Sequence, residues 1–593
     1  MHVAMNIWVT LLIVPLLYQT ATSWNPCCSY PCQNGGFCLT MGLQEYVCDC
    51  TGTGYYGGQC EHVTFMQRLR RLLKPNPETL HHLLVNYKWL WSIINSVTFL
   101  SDSLMTFVYL LRSNAVDSPP LYTSAHEYIT LEASYNLSYY ARGLPAVPTD
   151  CPTPMGIKGK RVLPDPKIVV ERLFKRTVFK PEPMHSSLLL AYFAQHFIHQ
   201  FFKTDHQKGP GFQWGGHGVD VSHVYGKNKH VENLLRSFQD GKLKTQVLNN
   251  EEYPPYQADV PGVPMTWMGQ VADNNKFALG HQFFGMMPGL FLYATIWMRE
   301  HNRVCDELRR VHPEWDDERL FQTGKLIIQG ETIKIVIEDY VQHLSNYHFL
   351  VTFKPELLHT EVFQYQNRIA AEFDHMYRWH PLMPDEFNIS GVVYPIMEFI
   401  FKSDLVVKYG TKVFTDSLSR QIAGQMTARN HGFLTQSVAL DTIENGRKLR
   451  FQPYNNYRKN LDFPHTKFSE LTDDPEVAAT LEELYGDIDG VEFYAGLLSE
   501  KRRENNMFGA LVIEMGGPFS VKGLMSTPIC SPRYWKPSTF GGDVGFNIVK
   551  TASLEKLFCK NIPGDECPLI SFVVPPENIP SSEKCENCKN DEL

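Results

Sequence analysis

Two short stretches hold the residue types that could do redox chemistry. In "EFDHMYRWHPLMPD", residues 372 to 385, Tyr377 stands three places before His380, with Trp379 between them and Pro381 immediately after. A spacing of three puts two side chains on one face of a helix, and proline disfavours helical backbone in the residue before it, so the helix is expected to stop at His380. A histidine at such an end can offer a ring nitrogen to a haem iron, and a phenol beside it can give up an electron and a proton. The second stretch, "LLLAYFAQHFIHQFF", has helical periodicity and sets Gln195 and His199 four apart, one turn from each other. An amide and an imidazole so placed could act on a peroxide, the imidazole as general acid and base. His196 and His199 also make an HxxH pair, but the carboxylate of a zinc hydrolase motif is missing. Ser520, in "EMGGPFSVKG", has no visible catalytic base and is not read as a hydrolase nucleophile.

The elements that must position these groups belong to a large secreted-type chain. It has 593 residues, 43% of them hydrophobic, and a net charge of −8, which excludes nucleic acid as a main partner. "IWVTLLIVPLL" followed by Ala21 to Ser23 predicts a cleaved leader over 1–23. Seven of the 14 cysteines fall between Cys27 and Cys60, a density that points to a disulfide module rather than zinc in an oxidising compartment. Its "NGGFC", "CDC" and "GYYGGQC" resemble an EGF-like domain. That resemblance implies the pairs Cys27 with Cys38, Cys32 with Cys48, and Cys50 with Cys60. Cys28 is then expected to reach Cys151, and Cys559 with Cys567 is a late bridge; Cys585 and Cys588 have no assigned partner. Sequons at Asn136 and Asn388 read as glycan sites. The closing "KNDEL" resembles an ER-retrieval tail, with Asn590 departing from the usual lysine. Between 63 and 111, short apolar faces alternate with breaks expected at Pro75, Pro77 and the "SDS" of 101–103. With Tyr87, Trp89 and Trp91 and flanking Arg68, Arg70, Arg71 and Lys74, the segment suits helices lying in one membrane leaflet; buried core helices are the plainer alternative.

"FAQHFIHQFF", "GHGVDVSHVYG", "WMREHNRVCDEL", "GETIKIVIEDYVQHL", "YRWHPLMPD" and "PICSPRYWKPSTFGGDVGFNIV" together resemble the animal haem peroxidases, and among them the prostaglandin G/H synthases. The likeness covers nearly the whole mature chain. It implies one haem b per subunit with His380 as proximal iron ligand, His199 as distal acid and base, and Gln195 as a second distal donor. It further implies a Tyr377 radical that abstracts hydrogen from arachidonate or a similar polyunsaturated fatty acid. Molecular oxygen then adds to give prostaglandin G2, which the peroxidase, fed by a reducing cosubstrate, converts to prostaglandin H2. Arg112 and Tyr347 would meet the carboxylate, Glu514 would pair with Arg112, and Ser520 matches the serine that aspirin acetylates. Phe197, Phe201, Val341, Leu344, Phe373, Trp379, Ile513 and Gly523 would line the channel. A homodimer on the lumenal side of the endoplasmic reticulum membrane is implied as well.

The expected fold is mainly α, with a leader (1–23), EGF-like module (24–62), membrane-binding helices (63–111), catalytic domain (112–575) and tail (576–593). Three departures stand out. Gly517 replaces the alanine usual in vertebrate members, Ile513 resembles the constitutive isoform, and Arg503 the inducible one. The competing readings are a haem fatty-acid dioxygenase or peroxidase that forms no endoperoxide, and a nonenzymatic adhesion protein on the same architecture.

Overall fold

The computed structural model describes residues 24–42, 44–73 and 76–579. The expected leader, the KNDEL tail, Cys585, Cys588, Lys74 and Pro75 lie outside them. The N-terminal module is a hairpin, β1 (Phe37–Met41) and β2 (Glu45–Asp49), antiparallel with Cys38 opposite Cys48. Disulfides join Cys27 to Cys38, Cys32 to Cys48 and Cys50 to Cys60. Such a small unit has too little core to hold itself without them. Cys28 is bonded to Cys151, and Tyr30 donates to the Met155 carbonyl at 3.1 Å, so the module is fixed to the large domain. Cys559 is bonded to Cys567.

Four helices follow: α1 (Phe65–Leu73), α2 (Pro77–Asn86), α3 (Lys88–Ser96) and α4 (Thr98–Ser113). Pro77 opens α2, capped by Asn76, whose side chain accepts from the Glu78 N–H. The expected break at 101–103 is absent. Ser101 and Ser103 bond back to the carbonyls of Thr98 and Phe99 and Asp102 pairs with Lys354, which satisfies the polar triplet inside α4. The chain turns instead at Val97, where α3 and α4 meet at 105°. Among the described residues no single helix is long and apolar enough to cross a membrane. The four helices do expose large apolar side chains: Leu72, Trp89, Phe99 and Phe107 are each more than half exposed. Trp91, expected beside Trp89 at a membrane surface, is instead buried, its indole N–H on the Leu83 carbonyl at 2.7 Å.

The catalytic-sized remainder is a helical body around one continuous apolar core. Apolar all round and capped by Ser187, α5 (Leu188–Ile198) has to sit inside it. It packs on α6 (Pro288–Val311), which in turn packs on α7 (Asp317–Ile335), begun by the Asp316 cap. A π-helical turn, Val336–Val341, continues α7, and another, Val512–Gly516, leads into α9 (Gly517–Met525), which packs on α4; α8 (Ala371–Met376) lies between these in the chain. The strands are confined to five two-stranded ribbons among the described residues.

Candidate active site

The helix carrying Tyr377 and His380 ends earlier than the proline predicts. Its last α-helical residue is Met376; Tyr377 is the cap, with its N–H held by the Phe373 and Asp374 carbonyls, and His380 opens a separate 3-10 turn, His380–Leu382. The two side chains therefore do not share a helix face. Residues 377 to 380 alternate: Tyr377 and Trp379 line an apolar cavity, while Arg378 and His380 face the other way, within electrostatic reach of His199. Pro381 has no N–H to return to the Tyr377 carbonyl, which accepts from the Trp379 N–H at 2.9 Å instead.

The cavity, about 250 Å³, runs between α4, the two π-helical turns and α9. Arg112, in the last turn of α4, stands at one end with Tyr347. Its guanidinium donates to one Glu514 oxygen at 2.9 Å, and Arg503 donates to the other at 2.6 Å and onward to Glu78 at 2.9 Å. Burial pushes the Glu514 carboxyl up, but the two guanidiniums outweigh it and hold it below the ordinary range. At the other end the Tyr377 hydroxyl lies 3.4 Å from Ser520 Oγ, and the Tyr377 ring stacks on Trp379 at 4.4 Å. Burial raises the phenol's pKa, and the nearby hydroxyls of Ser520 and Tyr340 offset part of it, although Tyr340 makes no hydrogen bond of ordinary geometry. Tyr377 is thus neutral, as a hydrogen-atom source must be.

Val341, Leu344, Trp379 and Ile513 line the cavity as expected from their motifs. Phe197, Phe201, Phe373 and Gly523 do not. Phe373 packs edge-on behind Tyr377 at 5.0 Å, Phe197 lies 6.1 Å from Tyr340, and Gly523 backs onto Phe201. These positions form the layer around the closed end. Met376, Val512, Gly516, Val521 and Leu524 are lining residues that motif reading missed, each an ordinary core residue type: Met376 ends α8, Val512 and Gly516 sit in the second π-helical turn, and Val521 and Leu524 lie on α9.

On the opposite side, His199 caps the end of α5, with Gln195 one turn before it; both are partly accessible. The His199 Nδ1–H donates to the Gln195 carbonyl, which leaves Nε2 as the free base. Burial lowers the His199 pKa to about 4. His380 is pushed to about 3, by burial first and then by the charges of Arg378 and His199; its Nδ1 is buried without a partner while the ring stays partly accessible. A neutral imidazole on each side, one of them with no protein acceptor fixing its buried nitrogen, is a donor set that fits haem. Asn388 is exposed on its strand and Asn136 half-buried.

The animal haem peroxidase family model matches residues 215–566. The chain is 53% identical to prostaglandin G/H synthase 2 of Oryctolagus cuniculus over 93% of this chain and 91% of that one. It is 51% identical to prostaglandin G/H synthase 1 of Mus musculus over 96% of each. Among solved structures, the fatty acid alpha-dioxygenase of Oryza sativa superposes with a TM-score of 0.62 at 16% identity, covering 86% of this chain and 99% of that one, a likeness of fold.

Proposed function

The chain belongs to the animal haem peroxidases and, within them, to the prostaglandin G/H synthases, and from that premise we propose which of its residues carry each of two coupled reactions. The enzyme is a prostaglandin-endoperoxide synthase. Haem, when bound, supplies the one-electron oxidation that Tyr377 needs. His380 would hold its iron, and His199 and Gln195 would act on the hydroperoxide.

His199 takes the hydroperoxide proton at Nε2 and returns it to the oxygen that leaves as the alcohol, general acid and base in one group. The Gln195 amide offers the leaving oxygen a second hydrogen bond. In the apolar cavity, Arg112 and Tyr347 bind the carboxylate of arachidonate or a similar fatty acid by charge-assisted hydrogen bonds, in exchange for the Arg112 bond to Glu514. Arg503 keeps Glu514 paired during that exchange, so no buried charge is stranded. The chain's middle lies against Tyr377, whose radical removes a bis-allylic hydrogen atom. Ser520, beside it, shapes where oxygen adds. Entry from one membrane leaflet through the apolar faces of α1 to α4 suits a lipid substrate. A homodimer in the endoplasmic reticulum membrane completes the proposal.

The alternation of Tyr377 and Trp379 with Arg378 and His380 across one segment is the observation that carries this reading. It supports a radical role for Tyr377 on one face of the segment and an iron-ligand role for His380 on the other. The test is oxygen uptake by haem-loaded, detergent-solubilised protein with arachidonate, beside Tyr377→Phe. Uptake of two oxygen molecules per fatty acid, lost in the variant while hydroperoxide reduction persists, is expected. Equal uptake by the variant would remove Tyr377 from the role, and single oxygenation would make the enzyme a dioxygenase that closes no endoperoxide.

A further inference from the structure

Four histidines, His196, His199, His223 and His281, surround the ring of Phe284, at centroid distances of 4.6, 5.5, 6.5 and 5.0 Å. One of them, His281, is in edge contact with His199 itself, 4.5 Å between centroids at 72°. No motif singles it out. It sits in the turn before α6, and its place there is tightly set: a Cβ on Gly280 would come within 2.5 Å of the carbonyl oxygens of both His223 and Val224, so only glycine lets the turn press this close. The Phe284 N–H returns to the His281 carbonyl at 3.1 Å, and the Phe283 N–H donates to His281 Nδ1 at 3.3 Å.

That last bond fixes what the ring can do. With Nδ1 accepting, a neutral His281 carries its proton on Nε2 and is a donor only. His199 has the opposite arrangement, its Nδ1–H engaged by Gln195 and its Nε2 lone pair free. Two touching imidazoles thus provide a single base.

We propose that His281 is a positioning residue for the peroxidase reaction: anchored at Nδ1 by the Phe283 N–H, it holds the His199 ring in the orientation that presents Nε2 to the hydroperoxide, and cannot itself compete for the proton. The inference rests on the reading of His199 as the distal base. It predicts that glutamine, whose carbonyl can accept the Phe283 N–H while its amide donates, replaces His281 well, and that an isosteric ring without nitrogens does not.

The experiment compares the haem-loaded protein with His281→Phe, His281→Gln and His199→Ala. The probe is cyanide, which enters as neutral HCN and must surrender its proton to a distal base; affinity is read from the Soret shift, together with kcat and KM for hydroperoxide reduction. His281→Phe should bind cyanide roughly tenfold more weakly and lose kcat by a similar factor with KM little changed. His281→Gln should stay close to the parent, and His199→Ala should lose most. If His199→Ala binds cyanide like the parent, the distal-base reading itself fails. If His199→Ala is impaired and His281→Phe is not, or if Gln is as impaired as Phe, the role of His281 is overturned. Should the Phe variant fail to take up one haem per chain, His281→Met carries the same comparison.

Discussion

At the level of single residues, the mouth and the closed end of the cavity make separable predictions. Arg112→Gln removes the cation that a fatty carboxylate would meet, and Glu514 stays paired with Arg503. The expected result is a rise in KM for fatty acid of about ten- to a hundredfold, in line with the loss of about 1.5–3 kcal/mol for a charged hydrogen bond, with hydroperoxide reduction unchanged. Steady-state oxygen uptake and a peroxidase assay on the same preparation check it. Gly517→Ala should be tolerated, because the added carbon meets only the tip of Arg112 at 4.0 Å; an unaltered unfolding midpoint and KM would bear this out. Tyr377, His380, His199 and Arg112 were singled out through family motifs, and the structure sets Tyr377 and Arg112 on one cavity and His380 within electrostatic reach of His199. His281 was not, since a histidine in a loop carries no spacing signal, and the inward-facing residues of the π-helical turns look like any other core.

At the level of elements, the break after Met376 matters more than the helix before it. Sequence periodicity placed Tyr377 and His380 on a shared helical face, and proline was read only as a terminator. The non-helical link between them sets Tyr377 and Trp379 on the cavity and Arg378 and His380 toward His199. Its position depends on a neighbour: a Cβ on Gly424 would lie 2.1 Å from the Pro381 carbonyl oxygen. Gly424→Ala should therefore displace the His380 turn and weaken haem uptake by roughly an order of magnitude, read by titration of the Soret band, a cost of the kind seen when a ligand's support is lost. The apolar faces of α3 and α4 make a second element-scale prediction. Trp89→Glu and Phe99→Glu remove exposed aromatic surface and should each weaken binding to phospholipid vesicles by about 1.5–3 kcal/mol, measured by flotation, while Trp91→Glu should instead unfold the protein.

At the level of the whole molecule, the core is rich in neutral histidines. Burial holds His217, His223 and His431 to about 3, and His301, His343 and His375 to about 4, against an ordinary value near 6.5. A pKa depressed by folding means that the unfolded chain binds protons first, so stability is full above about 6.5 and drains as pH falls toward the folded values. The unfolding midpoint should drop steeply between pH 6.5 and 4, in calorimetry with and without haem, and stay nearly flat from 6.5 to 8. The order of module, apolar helices and catalytic body was legible because each has its own composition. Their joining through Cys28 and Cys151 followed from family likeness, as cysteine counts alone leave many pairings open. That bond spans 123 residues and so turns the hairpin ribbons, all four apolar helices and the Arg112 turn into one covalent ring. A protease that cuts anywhere inside the ring opens it without releasing either end. The nicked enzyme should migrate as a single species until reduced, and only then part into a short module-bearing fragment and the catalytic body.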